Sequence, residues 1–251
     1  MKTRIILSGC SGAMGKVIAH CAEQRSDCEI VAGIDINANR YADFDVFTSP
    51  DQVTVDADVI IDFSHPTALP PLLEMARLRH LPVVVCTTGL SEDQQDLMKT
   101  AAKEIPIFHS GNMSLGINLI ISLAKKAAQV LGNEFDIEII EKHHNRKLDA
   151  PSGTALMIAN AINETLDNRC RYEYDRHIRR EKRPKNEIGI HAVRGGTIVG
   201  EHEVLFAGPD EIVTISHSAR SRDVFATGAI NAAIFLYAQQ PGLYDMADLL
   251  A

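Results

Sequence analysis

Residues Arg4 to Ser8 form an apolar run of strand length that ends at once in GCSGAMG, and a helical pattern opens directly behind it. That succession constrains the chain strongly, because a buried strand feeding a helix must return through a parallel neighbour. The helical segment KVIAHCAEQ places Val17, Ile18 and Cys21 on one face, and a second strand from Glu29 to Ile34 ends at Asp35. Strand, glycine turn, helix and strand, with an acid about 20 residues beyond the glycines, is the arrangement of a dinucleotide-binding unit.

Each part of the turn has a physical reason. Gly9 permits a tight turn, Gly12 lets the backbone approach a pyrophosphate, and Gly15 lets helix and strand pack closely. Unpaired N–H groups at the helix start attract phosphate. The turn Gly9, Cys10, Ser11, Gly12, Ala13, Met14 and Gly15 is therefore the expected phosphate site, and Asp35 the acceptor for ribose hydroxyls. The spacing is GxxGxxG, which an ordinary strand-to-helix turn also shows; the flanking strands and Asp35 in register decide for the dinucleotide. Ile36 follows Asp35, and the next arginine beyond it is Arg40. A carboxylate repels a 2′-phosphate unless an arginine relieves it, so NADH is expected before NADPH.

The alternation continues. Strands are expected over Ala57 to Phe63, Pro82 to Cys86 and Ile105 to His109, with helices through Leu72 to Leu78 and after Ser91. Strands alternating with helices predict a Rossmann-type parallel sheet with helices on both faces. Ligands then bind beyond the carboxyl ends of the strands. Phe63 and Ser64, Cys86 with Thr87 and Thr88, and Gly111, Asn112, Met113 and Ser114 all fall there, as a ring about one crevice.

From Gly116 a helix is expected to about Leu131, and the pattern then becomes richer in strands: Asp136 to Glu141, Ile188 to Arg194, Thr197 to Phe206 and Glu211 to Ser218. This predicts a smaller α+β domain with a mixed sheet, for substrate contacts, over residues 114–222. A last helix near Ala226 to Ala238 returns to the first domain, which thus comprises 1–113 and 223–251.

The formal net charge of −8 argues against general nucleic-acid binding, which favours a basic face. No apolar run approaches the roughly 18 residues of a membrane span. The start MKTRIILSGC loosely imitates a lipoprotein leader, but its apolar run is too short, and a buried first strand is the better reading. The five cysteines form no CxxC pair, which favours reduced thiols in a cytoplasmic protein and no metal site.

The run from Lys142 to Thr154, KHHNRKLDAPSGT, concentrates chemistry. A strand delivers His143 and His144, Lys147 adds a fixed cation, and Ser152 has the character of a helix cap. The Gly153 and Thr154 that follow begin a helix whose unpaired N–H groups favour an anion. Histidine titrates near neutral pH and suits proton donation, while lysine stays cationic. If the strand persists, His143 and His144 point to opposite faces and do not share one role.

These residues carry a resemblance. GCSGAMG, DFSHPTA, CTTGL, SGNMSLGIN, EIIEKHHNRKLDAPSGTAL, HAVRGGTIVGEHEV and HSARSRDVFATGA occur in the order seen in the dihydrodipicolinate reductase family of bacterial diaminopimelate and lysine synthesis, across nearly the whole chain. The resemblance implies reduction of 4-hydroxy-tetrahydrodipicolinate, or its dehydrated form, by hydride from NADH or NADPH. It implies that His143 donates the proton and Lys147 is the second catalytic group. His144, Lys147, Ser152, Gly153 and Thr154 then contact a small cyclic dicarboxylate held between the domains. It also implies a homotetramer assembled through the second sheet.

Some positions depart from the family. Cys86 stands where glycine is common, adding bulk near the nicotinamide end and a thiol there, and Ser11 sits in a turn often richer in glycine. The stretch from Arg169 to Lys185 is locally basic and reads first as a solvated loop, second as a lure for an anionic ligand. Two rivals remain open at this point. One is another NAD(P)-dependent amino-acid or semialdehyde dehydrogenase, and Cys170 lacks an evident activating partner for the latter. The other is a non-catalytic dinucleotide-binding redox sensor, whose signature would be loss of His143 or Lys147.

Overall fold

In the computed structural model, which describes residues 2–132 and 134–250, the first apolar run becomes β1 (Thr3–Ser8), followed by α1 (Ala13–Glu23) and β2 (Cys28–Ile34). The chain continues with β3 (Asp45–Phe47), β4 (Val59–Asp62), α2 (Leu69–Leu78), β5 (Val83–Val85), α3 (Glu92–Ala101) and β6 (Pro106–His109). Then come α4 (Leu115–Leu131), β7 (Asp136–His143), α5 (Gly153–Thr165), β8 (Arg171–Glu173) and β9 (Glu187–Arg194). The last elements are β10 (Gly200–Ala207), β11 (Ile212–Ala219), α6 (Asp223–Tyr237), β12 (Gly242–Tyr244) and α7 (Met246–Leu250).

The chain divides into two units, Met1–Leu115 with Arg222–Ala251, and Gly116–Ser221. In the first, seven parallel strands run in the order β12-β6-β5-β4-β1-β2-β3. The order reverses at β1, and the crevice at the carboxyl ends of β1 and β4 is where such sheets bind ligands. Residues alternate across this sheet as strand geometry demands. Ile5, Leu7, Val59, Ile61 and Val84 face Ile18 of α1 and Ala229, Ile230 and Leu236 of α6. Ile6, Ile60, Val83 and Val85 face Leu69, Leu72 and Leu73 of α2 and Met98 of α3. Because both faces are covered, the strands read as continuous apolar runs. Ser91 starts α3 with a capping box: its hydroxyl accepts the Gln94 N–H while the Gln94 side chain accepts the Ser91 N–H.

The second unit holds a mixed sheet in the order β11-β10-β7-β9-β8. β10 is antiparallel to β7 and β11, whereas β7–β9 and β8–β9 are parallel. Ile137 and Ile139 of β7 pack with Ile120 and Ala124 of α4 and Ile158 and Ile162 of α5. On β7 the alternate positions Glu138, Ile140 and Lys142 remain partly accessible, as do Glu203 and Leu205 of β10. One face of this sheet is therefore covered by helices and the other is partly open.

The structure differs from the sequence expectation in a few places. The strand expected from Thr197 begins at Gly200, because Gly195 and Gly196 make the turn after β9 and Gly196 takes a positive φ of 50°. The three-residue strands β3, β8 and β12 were not expected; each exists by pairing with one longer or deeper neighbour. The basic stretch is not simply a solvated loop. It contains β8, and Arg176, Arg179 and Arg183 form ion pairs with Asp136, Glu138, Glu173 and Glu187. Burial alone would raise the Glu138 carboxyl, but hydrogen bonds from His191 and Arg183 and the charge of Arg176 hold it below its ordinary range. Those arginines pair with carboxylates of β7, β8 and β9.

Candidate functional site

The first unit carries a cleft of about 1090 Å³ at the ends of β1, β2 and β4. Gly9, Ser11, Gly12, Asp35, Phe63 and Ser64 line it, as do His65 and Arg79. Gly9 adopts φ +76°, where a Cβ would also overlap the Phe63 carbonyl. A Cβ on Gly15 would overlap the carbonyl oxygens of Gly9 and Cys10, so helix and strand meet only because it is absent. No side chain caps α1, whose N-cap is Gly12. The helix start therefore offers its backbone N–H groups to a ligand.

Asp35 sits at the rim of this turn. Its Oδ2 accepts the Ser11 N–H at 3.0 Å, and its Oδ1 accepts the Asn37 N–H at 3.0 Å. Arg40 turns away: it pairs with Asp45 at 3.4 Å and donates to the Ala42 carbonyl at 3.1 Å. The Arg79 guanidinium donates to the carbonyls of Val53 and Val55 at 2.9 and 2.5 Å. A carboxylate beside an uncapped helix start, with both arginines engaged elsewhere, fits the ribose and diphosphate of a dinucleotide.

A second pocket of about 280 Å³ in the same unit is lined by Met14, Phe63, Cys86, Thr88, Gly111, Asn112 and Met113. Phe63 belongs to both cavities, so the expected single crevice is two lobes. Cys10, Ala13, Gly15, Thr87 and Ser114 line neither. Cys10, Gly15, Thr87 and Ser114 are buried, and Ala13 is exposed at the helix start. The Cys10 carbonyl accepts the Tyr41 hydroxyl at 2.6 Å. Burial pushes the Cys86 thiol well above its ordinary pKa, and the negative charge of Asp62 adds to this.

Sequence reasoning missed Asp62, which it treated only as a strand letter. Its carboxylate is fully buried and accepts Ser64 Oγ at 2.6 Å and Thr87 Oγ1 at 2.7 Å, tying the ends of β4 and β5 together. It also missed Arg222 and Phe225, which α6 brings to the second pocket. The only local signal was the polar SRD just ahead of an apolar helix.

The second unit gathers a different set. β7 ends at His143, whose Nδ1 lies 2.6 Å from Glu141 Oε2. Glu141 is fully buried and also accepts two Arg194 N–H groups, each at 2.7 Å, and the Ser152 N–H at 2.9 Å. Burial alone would raise its carboxyl, but the hydrogen bonds from Arg194, His143 and Ser152 hold it below the ordinary range. It is a carboxylate, and His143 donates to it.

Lys147 lies in the following loop, its Nζ 2.8 Å from Asp149. Ser152 caps α5 by accepting the Ala155 N–H, and lies 3.1 Å from His202 Nε2. The His202 ring meets His143 edge-on, and burial, with the proximity of His143, lowers its pKa to about 4. Gly153 and Thr154 form the first turn of α5. Thus His143, Lys147, Ser152, Gly153 and Thr154 are placed by one strand end, one loop and one helix start. His144 follows β7 and is partly exposed. Glu141, Arg194 and His202 were not singled out from sequence; two of them lie 50 residues or more from their partners.

Among the described residues, no group of three or more His, Cys, Asp or Glu side chains could hold a metal ion, and no helix is long and apolar enough to cross a membrane.

Comparison with known proteins matches residues 3–113 to the N-terminal and 116–250 to the C-terminal family model of dihydrodipicolinate reductase. A 4-hydroxy-tetrahydrodipicolinate reductase of Caldanaerobacter subterraneus subsp. tengcongensis is 58% identical over 250 residues, covering 100% of this chain and 99% of that protein. One of Clostridium tetani is 48% identical, covering 100% and 98%. Among solved structures, a dipicolinate-bound dihydrodipicolinate reductase of Paenisporosarcina sp. TG-14 aligns with a TM-score of 0.81 at 26% identity, over 98% of both chains. A diaminopimelate dehydrogenase of C. glutamicum shares the fold alone, with a TM-score of 0.57 at 15% identity over 100% and 96% of the two chains.

Proposed function

The chain belongs to the dihydrodipicolinate reductase family, and from that premise we propose that it reduces 4-hydroxy-tetrahydrodipicolinate, or its dehydrated form, to tetrahydrodipicolinate using NADH or NADPH. The carrying observation is the grouping in the second unit of a carboxylate-held histidine, a lysine and a capped helix start. A proton donor, a cation and an anion-binding backbone are what reduction of a small cyclic dicarboxylate requires.

Gly9, Cys10, Ser11, Gly12, Ala13, Met14 and Gly15 hold the cofactor diphosphate through the start of α1, and Asp35 accepts from the ribose. Phe63, Ser64, Cys86, Thr87, Thr88, Gly111, Asn112, Met113 and Ser114 form or support the nicotinamide end. The engagement of Arg40 and Arg79 away from Asp35 favours NADH over NADPH.

Once bound, the nicotinamide would supply a hydride to the conjugated imine of the dehydrated substrate, which the hydroxylated ring becomes by losing its 4-hydroxyl as water. The electron pair displaced by that addition is quenched by a proton from His143 Nε2, the nitrogen not engaged by Glu141. Lys147 offsets negative charge on the substrate as this occurs. Gly153 and Thr154 hold a carboxylate through the α5 N–H groups, and His144 contacts the other end of the ring. The cost of desolvating two carboxylates is met by these donors.

The protein acts in the cytoplasm as a homotetramer. The partly open face of the second sheet, with Ile140 and Leu205 among its charged neighbours, supports assembly there.

The test is oxidation of NADH and NADPH by the purified protein, with substrate made in the same cuvette by condensing aspartate semialdehyde and pyruvate with the preceding synthase. Oxidation that needs every component is expected, faster with NADH. Binding of dinucleotide without oxidation would overturn the assignment.

A further inference from the structure

Glu141 and His143 lie two residues apart on one face of β7, so both side chains enter the same space. The Glu141 carboxylate accepts four hydrogen bonds: from His143 Nδ1 at 2.6 Å, from the two terminal Arg194 nitrogens at 2.7 Å each, and from the Ser152 N–H at 2.9 Å. Four donors fill the acceptor capacity of a carboxylate. Arg194 reaches further. The nitrogen that binds Glu141 Oε1 also donates to the Asp149 carbonyl at 2.7 Å, and the Asp149 carboxylate holds Lys147. One ion pair, buried at Glu141 and partly accessible at Arg194, therefore touches the proton donor directly, the lysine through Asp149, and the start of α5 through Ser152.

We propose that the Glu141–Arg194 pair is the positioning device of this site, fixing the Nδ1–H form of His143 and tuning how firmly the imidazole holds its second proton. The proposal rests on the assignment of His143 as proton donor. A carboxylate only accepts, so His143 keeps its hydrogen on Nδ1 and exchanges the proton at Nε2. The Nε2 side is kept clear by Gly200, where a Cβ would come within 3.1 Å of that nitrogen. A lone carboxylate would stabilise the imidazolium strongly and make it a reluctant donor. Arg194 places a positive charge against the same carboxylate that orients the ring.

The groups that face His143 are few. They are Glu141 on its own strand, Arg194 on β9, His202 on β10 and, beyond His202 in register, His217 on β11. Lys147 and Asp149 stand in the adjoining loop. The two histidines are held toward the neutral form by burial, leaving the Glu141–Arg194 pair as the charged contact of the ring.

Opposite effects of the two partners test this. In Glu141→Gln the alkaline limb of the kcat profile moves to lower pH by about one unit, and kcat at pH 8 falls by about 10-fold or more. In Arg194→Met the unscreened carboxylate moves the limb to higher pH, and Arg194→Lys returns it part of the way. A merely structural role would lower kcat or Tm and leave the limb where it is, which would overturn the proposal. Should Arg194→Met fail to fold, Glu141→Gln/Arg194→Met buries no unpaired charge and must show the limb below wild type. Far-UV circular dichroism and a cooperative urea transition identify folded variants. Independently of turnover, ¹⁵N-histidine spectra of the wild-type protein, assigned with His143→Gln, should show the Nδ1–H tautomer; an Nε2–H tautomer would overturn the proposal. Wild-type protein inactive in the coupled assay, yet with the Nδ1–H tautomer, would refute the reductase assignment and leave the Glu141 contact standing.

Discussion

The imidazole of His202 packs edge-on against that of His143, with ring centroids 5.2 Å apart and planes at 75°. Burial and the neighbouring His143 lower the His202 pKa from 6.5 to about 4, against the opposing pull of Glu141. The folded chain thus resists a proton that the unfolded chain accepts. The contribution to stability is complete above pH 6.5 and is lost as pH falls towards 4.

At pH 5 this loss amounts to about 2 kcal/mol relative to pH 7.5. Urea unfolding at fixed protein concentration should show it in the wild type, with a correspondingly smaller loss in His202→Gln. Equal losses in both proteins would mean that His202 is not the group responsible. His217, lowered by burial in the same direction, adds to the slope in both.

Replacing His143 by glutamine keeps a polar side chain at the end of β7 but removes the transferable proton. Turnover should fall by about 10²- to 10⁴-fold, while NADH affinity, which rests on the first unit, stays unchanged. Stopped-flow reduction and fluorescence titration separate the two quantities. A parallel loss of cofactor binding would take His143 out of the proton-donating role.

What was legible in the sequence was local. The strand, the three glycines and Asp35 lie within one short segment, and their reading needed no distant contact. Ser152 was recognisable as a cap from residue type and place, and it caps α5. The three-residue strands were illegible because partners found elsewhere in the fold create them, as Ile107 does for Leu243. Glu141 looked like one more letter of a strand until Arg194, 53 residues later, came beside it. The basic stretch misled for the same reason: its opposing carboxylates, Glu138 and Glu187, lie on β7 and β9.

Cys86 lines the second pocket yet is only 7% exposed, and burial pushes its thiol well above its ordinary pKa. A thiol held protonated reacts slowly with alkylating reagents. Treatment with N-ethylmaleimide at pH 7, followed by peptide mapping, should therefore label the partly exposed Cys21 and Cys170 before Cys86, with reductase activity retained. Early loss of activity tracking modification of Cys86 would show instead that the pocket opens to the reagent and that an adduct there blocks the site.

Asp35 is held by two backbone donors, the N–H groups of Ser11 and Asn37, each 3.0 Å away. These contacts orient the carboxylate at the cleft rim without neutralising it, and neither Arg40 nor Arg79 turns towards it. A 2′-phosphate brought there would meet uncompensated negative charge, whereas two ribose hydroxyls would find an acceptor. Asp35→Ala should therefore weaken NADH by about 10-fold, the scale of a lost hydrogen bond to a charged group. NADPH should weaken less, or bind better, as the repulsion disappears. Fluorescence titration with both cofactors measures the ratio directly, and a ratio unchanged by the substitution would remove Asp35 from the ribose site.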